Sequence, residues 1–260
     1  MDDPLPADQA STNGAQAIRR AIDVVRLVAQ IQRSGANLSR VARATGLTTS
    51  TAFRILQALT EERLLRYDQR DRCYYVGPLA FELGLAASAE TQVPARWRDA
   101  VDRIARETRF TTYLMARSDR DAVCLLCAQG STALRAMPME VGQRLPLGVG
   151  AGSLAILAAL DDAEVHRIVA AQALRLEVFP DGRASPGRVL EAVELTRRQG
   201  FAVSSGIVAA GVVGVGVAVP PHQGLTQLAL SVSAAASTVN PAQLAPIASI
   251  ITACIEGGRT

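Results

Sequence analysis

The stretch that decides the reading is 38–65, LSRVARATGLTTSTAFRILQALTEERLL. Ser39 is a plausible cap for a short helix running to about Thr45. Gly46 then supplies the left-handed backbone that a tight turn between two helices needs. Ala42, four residues before that glycine, is small enough for the helices to cross closely, and Ala52, six residues after it, packs from the second helix. Leu47, Ala52, Ile55, Leu56 and Leu59 give the second helix an apolar stripe toward a core. Thr49, Ser50, Phe53, Arg54 and Gln57 are left for the opposite face, with Thr48 and Thr51 beside them. These are hydroxyls for phosphates and base edges, a guanidinium for guanine or phosphate, and a ring that can lie against thymine methyls. Acidic residues come only at Glu61 and Glu62, near the helix end. Such a helix enters a major groove without repulsion. The outer face of an ordinary amphipathic pair would mix Glu and Lys.

Working outward, Ile18, Ile22, Val25, Val28, Ala29 and Ile31 recur at helical spacing from Ala15 to Gln32, and SGAN at 34–37 breaks that helix. Downstream, 64–67 and 73–76 are strand-like, and DQRD between them is a turn. Helix, helix, helix, hairpin over 14–77 is the layout of a winged helix-turn-helix. The hairpin carries Arg66, Arg70 and Arg72, with Arg70 near its tip, suited to the DNA backbone or minor groove. Arg19 and Arg20 can also reach phosphate. The expected DNA contacts are therefore Arg19, Thr48, Thr49, Ser50, Thr51, Phe53, Arg54, Arg70 and Arg72. Charge agrees: 14–77 holds 11 Arg against 5 acidic residues, a net of +6, whereas 78–260 holds 16 of each. Asp2, Asp3 and Asp8 bring the whole chain to +3, so the basic excess sits in one segment, as a polyanion partner requires. Every basic residue is Arg, a usage that genome composition alone can produce.

Residues 1–13 are expected to be a disordered tail and 78–90, opened by Pro78, a linker helix. The segment 91–260 is expected to be an α+β domain for effector binding and oligomerisation. Its helices fall at 94–109, 151–160, 162–172, 186–199 and 241–256. Its strands fall at 111–117, 122–128, 133–137, 201–207, 212–219 and 227–233, with hairpin turns at 118–121 and 220–224 implying antiparallel pairing. There is no internal repeat. The apolar run GIVAAGVVGVGVAVPP (206–221) is too short and too interrupted for a membrane helix, and reads as a strand end, a turn and a second strand. The N-terminus is acidic and polar, so the four cysteines are expected as free thiols in a reducing cytoplasm. Cys124 and Cys127 have C-x-x-C spacing but sit in the strand-like AVCLLCAQ. Residues three apart on a regular strand face opposite ways, so they are read as packing and no metal site is expected.

No catalytic residue is expected either. The two histidines, His166 and His222, lie far apart with no clustered carboxylate or thiol, and GVGAG lacks the Lys and spacing of a phosphate loop or dinucleotide fingerprint. No cofactor is expected. The remaining alternative to a DNA regulator is a small-molecule-sensing scaffold protein that uses its basic N-terminal domain for protein contacts.

The chain resembles the IclR-type transcriptional regulators, the isocitrate lyase regulator family, from Gly14 to Glu256. AIRRAIDVVRLV resembles that family's first helix, RVARATGLTTSTAFRILQAL its helix-turn-helix and YYVGPLAFELG its wing end and linker. VGQRLPLGVGAGSLAILAAL and QLALSVSAAAS match in pattern further on. The resemblance implies a curved antiparallel sheet packed by helices, distantly GAF-like. It also implies homodimers or homotetramers on double-stranded DNA at a short palindromic operator, and effectors that are small carboxylates or aromatic catabolites. The implied effector site lies where the PL turn leads into a helix, here Gly148 to Ser153, with Gly148, Gly150, Ala151 and Gly152 as the expected contacts. A Gly-rich backbone opening a helix presents free N–H groups and a positive dipole end. Ser231 and Ser233, two apart on the facing strand, add hydroxyls. Many family members carry a His where this chain has Gly148, an acidic pair where it has Ser204 and Ser205, and a Cys where it has Gly214. Those losses predict a roomier, more apolar pocket, and an effector bulkier than a two- or three-carbon acid.

Overall fold

The computed structural model describes residues 8–32, 35–91, 95–132, 139–179, 182–220 and 227–257. The chain divides into two compact units, Met1–Gln92 and Val93–Thr260.

In the first unit, α1 (Asp8–Ile31), α2 (Leu38–Thr45) and α3 (Thr49–Glu61) precede a hairpin of β1 (Leu65–Asp68) and β2 (Cys73–Val76) and then α4 (Pro78–Thr91). Val24 and Val28 of α1, Val41 of α2, Leu56 of α3 and Leu65 of β1 meet in one core and are almost wholly buried. Gly46 ends α2 in the left-handed region (φ 67°, ψ 15°), the geometry that lets α3 turn back across α2 at buried Ala42. The cap of α2 is not Ser39. The helix opens one residue earlier, and the Asn37 side chain accepts from the Arg40 amide at 3.0 Å. The first helix likewise begins at Asp8, earlier than Ala15, so part of the tail expected over 1–13 is helical, and 1–7 lie outside the described residues.

The second unit is built on a curved six-stranded antiparallel sheet. Its strands are β3 (Thr111–Ser118), β4 (Asp121–Ala128), β5 (Arg144–Pro146), β6 (Ala202–Ser205), β7 (Val212–Ala218) and β8 (Leu228–Ala235), in the order β5-β4-β3-β8-β7-β6. One face carries α5 (Ala95–Thr108) and α10 (Leu244–Gly257), through Trp97, Ile104 and Ile251 against Leu114, Val215 and Leu230. The other carries α6 (Ala151–Ala158), α7 (Asp162–Ala171), α8 (Ala173–Glu177) and α9 (Pro186–Gln199). AGSLAILA has no charged position on any side, and all eight residues of α6 are buried between sheet and α9.

The sequence reading missed β5 and α8, each too short to show a period, and the strand expected at 133–137 lies outside the described residues. It also misplaced a cysteine. Met115 pairs with Cys124, but Leu114 pairs with Leu126, so Leu125 is an extra residue on β4. This bulge resets the alternation, and Cys127, opposite Tyr113, comes to the same face as Cys124. Burial nonetheless raises both thiols, Cys124 to about 12, and among the described residues no group of three metal-ligating side chains forms around them.

Candidate functional sites

On α3 the capping residue is Thr48, whose hydroxyl accepts from the Thr51 amide at 3.3 Å and lies 2.8 Å from the Thr51 hydroxyl. Ala52 and Leu56 are buried behind it, while Thr49, Ser50, Phe53, Arg54 and Gln57 are exposed, Phe53 by 47%. Thr48 and Thr51 therefore spend part of their hydrogen-bonding capacity on shaping the helix end. Gln57 is held along the helix by Glu61, at 2.9 Å. Thr49, Phe53 and Arg54 project with no such tie.

The hairpin turn is organised by its two acids. Asp68 accepts from the Arg70 amide at 2.9 Å, and Asp71 accepts from the Cys73 amide at 2.9 Å and from the Tyr75 hydroxyl. The Tyr75 bond holds the Asp71 carboxyl below its usual range and pushes the phenol up to about 12. Arg66 lies 4.3 Å over the Tyr75 ring and 3.8 Å from Asp68. With both carboxylates turned inward onto the hairpin, Arg70 and Arg72 stand exposed, Arg72 with a left-handed backbone (φ 57°).

Arg63 pairs with Glu82 at 2.7 Å and Arg26 with Asp23 at 3.8 Å. The guanidinium groups of Arg19, Arg20, Arg43, Arg54, Arg70 and Arg72 make no ion pair or hydrogen bond among the described residues. Arg20 and Arg54 line one groove between α1 and α3, and Phe53 and Arg72 line another between α3 and the hairpin. Arg43, which the sequence reading did not select, lies on the exposed side of α2 in the turn before Gly46. Its signal was its place in the last turn of α2.

The second unit contains a cavity where the N-terminus of α6 meets the sheet. Gly150 opens α6 at φ 83° with no side-chain cap, and the amides of Ala151, Gly152 and Ser153 meet no acceptor among the described residues. Two glycines of β7 seat this helix end. A β-carbon on Gly216 would stand 2.5 Å from the Ala151 carbonyl oxygen, and one on Gly214 would stand 3.2 Å from the Ala151 β-carbon. Register sets the neighbours. Ser204 of β6, Gly214 and Ser233 of β8 form one cross-strand row, and Gly216, Ser231 and Tyr113 form the next.

Gly150, Ala151, Gly152, Ser231 and Ser233, all expected, line the cavity; Gly148 does not. Gly148 (φ 96°) is wedged against α9, where a β-carbon would come 2.6 Å from Val189. Ser153, the last residue of the expected 148–153 stretch, also lines it, whereas the sequence reading missed Tyr113, Met115, Met139, Leu145, Ser204 and Val208 as lining residues. Ser153 is satisfied within its own turn, donating toward the Pro146 and Val149 carbonyls at 3.0 and 2.7 Å. Ser204 and Ser231 are only 6% and 5% exposed, and no partner meets their hydroxyls among the described residues. The expected apolar lining is present, but not the room. Met115, Met139, Leu145 and Val208 close in on a space of about 50 Å³.

Residues 17–69 match the IclR helix-turn-helix domain, and residues 86–257 match the domain described as bacterial transcriptional regulator IclR C-terminal. The HTH-type transcriptional regulator XynR of Escherichia coli K12 is 26% identical over 231 residues, which cover 88% of this chain and 90% of that protein. The IclR transcriptional regulator structure from Alicyclobacillus acidocaldarius superposes with a TM-score of 0.72 at 23% identity, covering 94% of this chain and 97% of that one. An IclR homologue from Microbacterium hydrocarbonoxydans, solved in complex with 4-hydroxybenzoate, superposes with a TM-score of 0.69 at 20% identity, covering 93% and 97%. Among the described residues, no helix is long and apolar enough to cross a membrane.

Proposed function

The chain belongs to the IclR family of bacterial transcriptional regulators, and on that footing we propose that it binds a palindromic operator through its first unit and a small organic effector through its second. The observation that carries the DNA half is the outward face of α3. Thr49, Ser50, Phe53 and Arg54 stand clear of the core, and unpaired guanidinium groups flank them on α1, α2 and the hairpin. In this reading α3 lies in the major groove, Arg54 contacts a guanine edge or phosphate, Phe53 meets thymine methyls, and Arg70 and Arg72 follow the backbone. The hydroxyls of Thr48 and Thr51 then serve the helix end first and phosphate second.

A palindrome needs two copies. Ile18 and Ile22 on α1 and Phe81, Leu83 and Leu85 on α4 are large apolar side chains left exposed, which favours a homodimer or a higher homo-oligomer in the cytoplasm. The effector reading rests on the free amides of α6 beside Ser204, Ser231 and Ser233, a receptor for a carboxylate. The homologue with 4-hydroxybenzoate bound carries an acid of that kind. Effector contacts near Gly150 would bias how the subunits are arranged, and α4 would transmit this to the DNA-binding units. No catalytic step enters the proposal.

The test is duplex binding, by fluorescence anisotropy on an operator selected from random sequence, between about 50 and 200 mM salt. Affinity should fall steeply with salt, and Arg54→Ala should weaken binding by roughly 10- to 100-fold, the worth of one bidentate base contact. A flat salt response with unchanged affinity for Arg54→Ala would instead favour a scaffold protein that binds protein through this unit.

A further inference from the structure

Resting on the DNA reading above, we infer that Gln57 reads a base through its amide oxygen and that Glu61 is the positioning residue that turns it. The operator then carries adenine or cytosine, and not guanine or thymine, where Gln57 meets it. A glutamine amide has a donor end and an acceptor end, and left free it can turn either one to a base. Here the amide nitrogen of Gln57 donates to a Glu61 carboxylate oxygen at 2.9 Å. An ionised carboxylate only accepts hydrogen bonds, so it fixes which end of the amide faces it. The nitrogen is drawn toward the C-terminal end of α3, and the oxygen is left for the duplex.

The base edges of the major groove divide on that oxygen. Adenine and cytosine each present an exocyclic amino group that donates to it, whereas guanine O6 and N7 and thymine O4 only accept. Two acceptors face to face repel, and the Glu61 charge behind the amide adds to the repulsion. The bond also strengthens where the duplex excludes water from it.

The placement suits this role. Gln57 is exposed on α3 one turn after Phe53. Gln57 and Glu61 line the same groove between α3 and the hairpin as Phe53 and Arg72, so the tie sits on the proposed DNA face. Glu61 is also the last residue of α3, where the helix dipole disfavours an anion, and its charge repels phosphate. A carboxylate at that position works against both the helix and the duplex, and what it supplies in return is the orientation of Gln57.

The experiment is selection of an operator from random duplexes by the full-length chain, then fluorescence anisotropy with each of the four bases at the position whose preference Gln57→Ala erases. The parent should bind adenine or cytosine there about 10-fold tighter than guanine or thymine, the worth of one base hydrogen bond. Glu61→Ala frees the amide to turn over, and should bring all four bases within about threefold of one another. Alanine is a good helix former, so this exposed change leaves the fold in place. Gln57→Glu in the Glu61→Ala background offers oxygens only, and should bring the preference for amino bases back. If Glu61→Ala tightens binding to all four bases equally and the preference survives, Glu61 acts through charge alone and its positioning role is overturned. A bond that merely stiffened the helix would likewise shift the melting temperature and leave base preference untouched. If Gln57→Ala erases no position of the selected operator, Gln57 reads no base, and this inference fails while the DNA reading stands. If the parent selects no sequence at all, the DNA reading fails and takes this inference with it.

Discussion

Replacing Gly216 by alanine tests how α6 is seated. The new β-carbon would lie 2.5 Å from the Ala151 oxygen, 2.6 Å from the Ala151 carbonyl carbon and 3.0 Å from the Gly152 nitrogen. All three are backbone atoms, so no rotamer change relieves the contact; α6 must lift or β7 must bow. Overpacking of well-packed interiors costs about 1–3 kcal/mol, and a backbone clash belongs at the upper end. For a unit of this size each kcal/mol moves the melting temperature by roughly 2–4 °C, so a fall of about 6–12 °C is expected. The assay is built into the chain. Its one tryptophan, Trp97, is buried against the sheet in this unit, so intrinsic fluorescence follows the second unit and not the first. Gly214→Ala is the control: its β-carbon meets the Ala151 β-carbon and the Val232 oxygen at 3.2 Å, a contact that a few tenths of an ångström relieves. A Gly216→Ala shift under about 2 °C, or one no larger than that of Gly214→Ala, would refute the seating argument.

Three more outcomes are expected. Leu56→Ala removes a fully buried side chain from the small core of the first unit and should cost about 2–5 kcal/mol. Circular dichroism should show the helices of that unit melting early while the Trp97 transition stays put. The Tyr75 phenol, pushed to about 12 by Asp71, binds its proton more tightly folded than unfolded. Its contribution to stability is therefore complete below pH 10 and is lost as pH rises from 10 toward about 12. Ultraviolet titration should show one phenol moving down in Asp71→Asn, and no movement would remove Asp71 as the cause. The double variant Arg70→Ala/Arg72→Ala should flatten the slope of log K against log salt by roughly 2, with little change in sequence preference. An unchanged slope would place the hairpin away from DNA.

The first unit was legible because its signals are local. Gly46 and the apolar spacing around Leu56 fix a helix pair within a few residues, and the wing follows from two short strands and a polar turn. The error there, Ser39 for Asn37, is a shift of two residues in a cap, where two polar residues of equal capping ability stand on either side of Leu38. The second unit was legible at the level of elements but not of contacts. Ser204 joins Ser233 through the register of β6, β7 and β8, a relation between segments far apart in the chain that one sequence does not display. The size of the cavity was misjudged for a related reason. Losing His, acid and Cys side chains suggested space, but Gly214 and Gly216 let α6 settle onto the sheet and take that space up. A missing side chain makes room only if its neighbours stay where they are.

The extra residue at Leu125 makes the length of β4 matter more than its chemistry. Exchanging that leucine for another apolar residue should be tolerated, since no ladder partner depends on it. Excising it would restore strict alternation and exchange the faces of Leu126, Cys127 and Ala128, sending a leucine toward the α6 side and a thiol into the apolar layer under α5 and α10. In this strand an indel of one is a graver lesion than most point changes. An alignment of relatives that places a gap between Cys124 and Ala128 would be claiming a differently wired sheet.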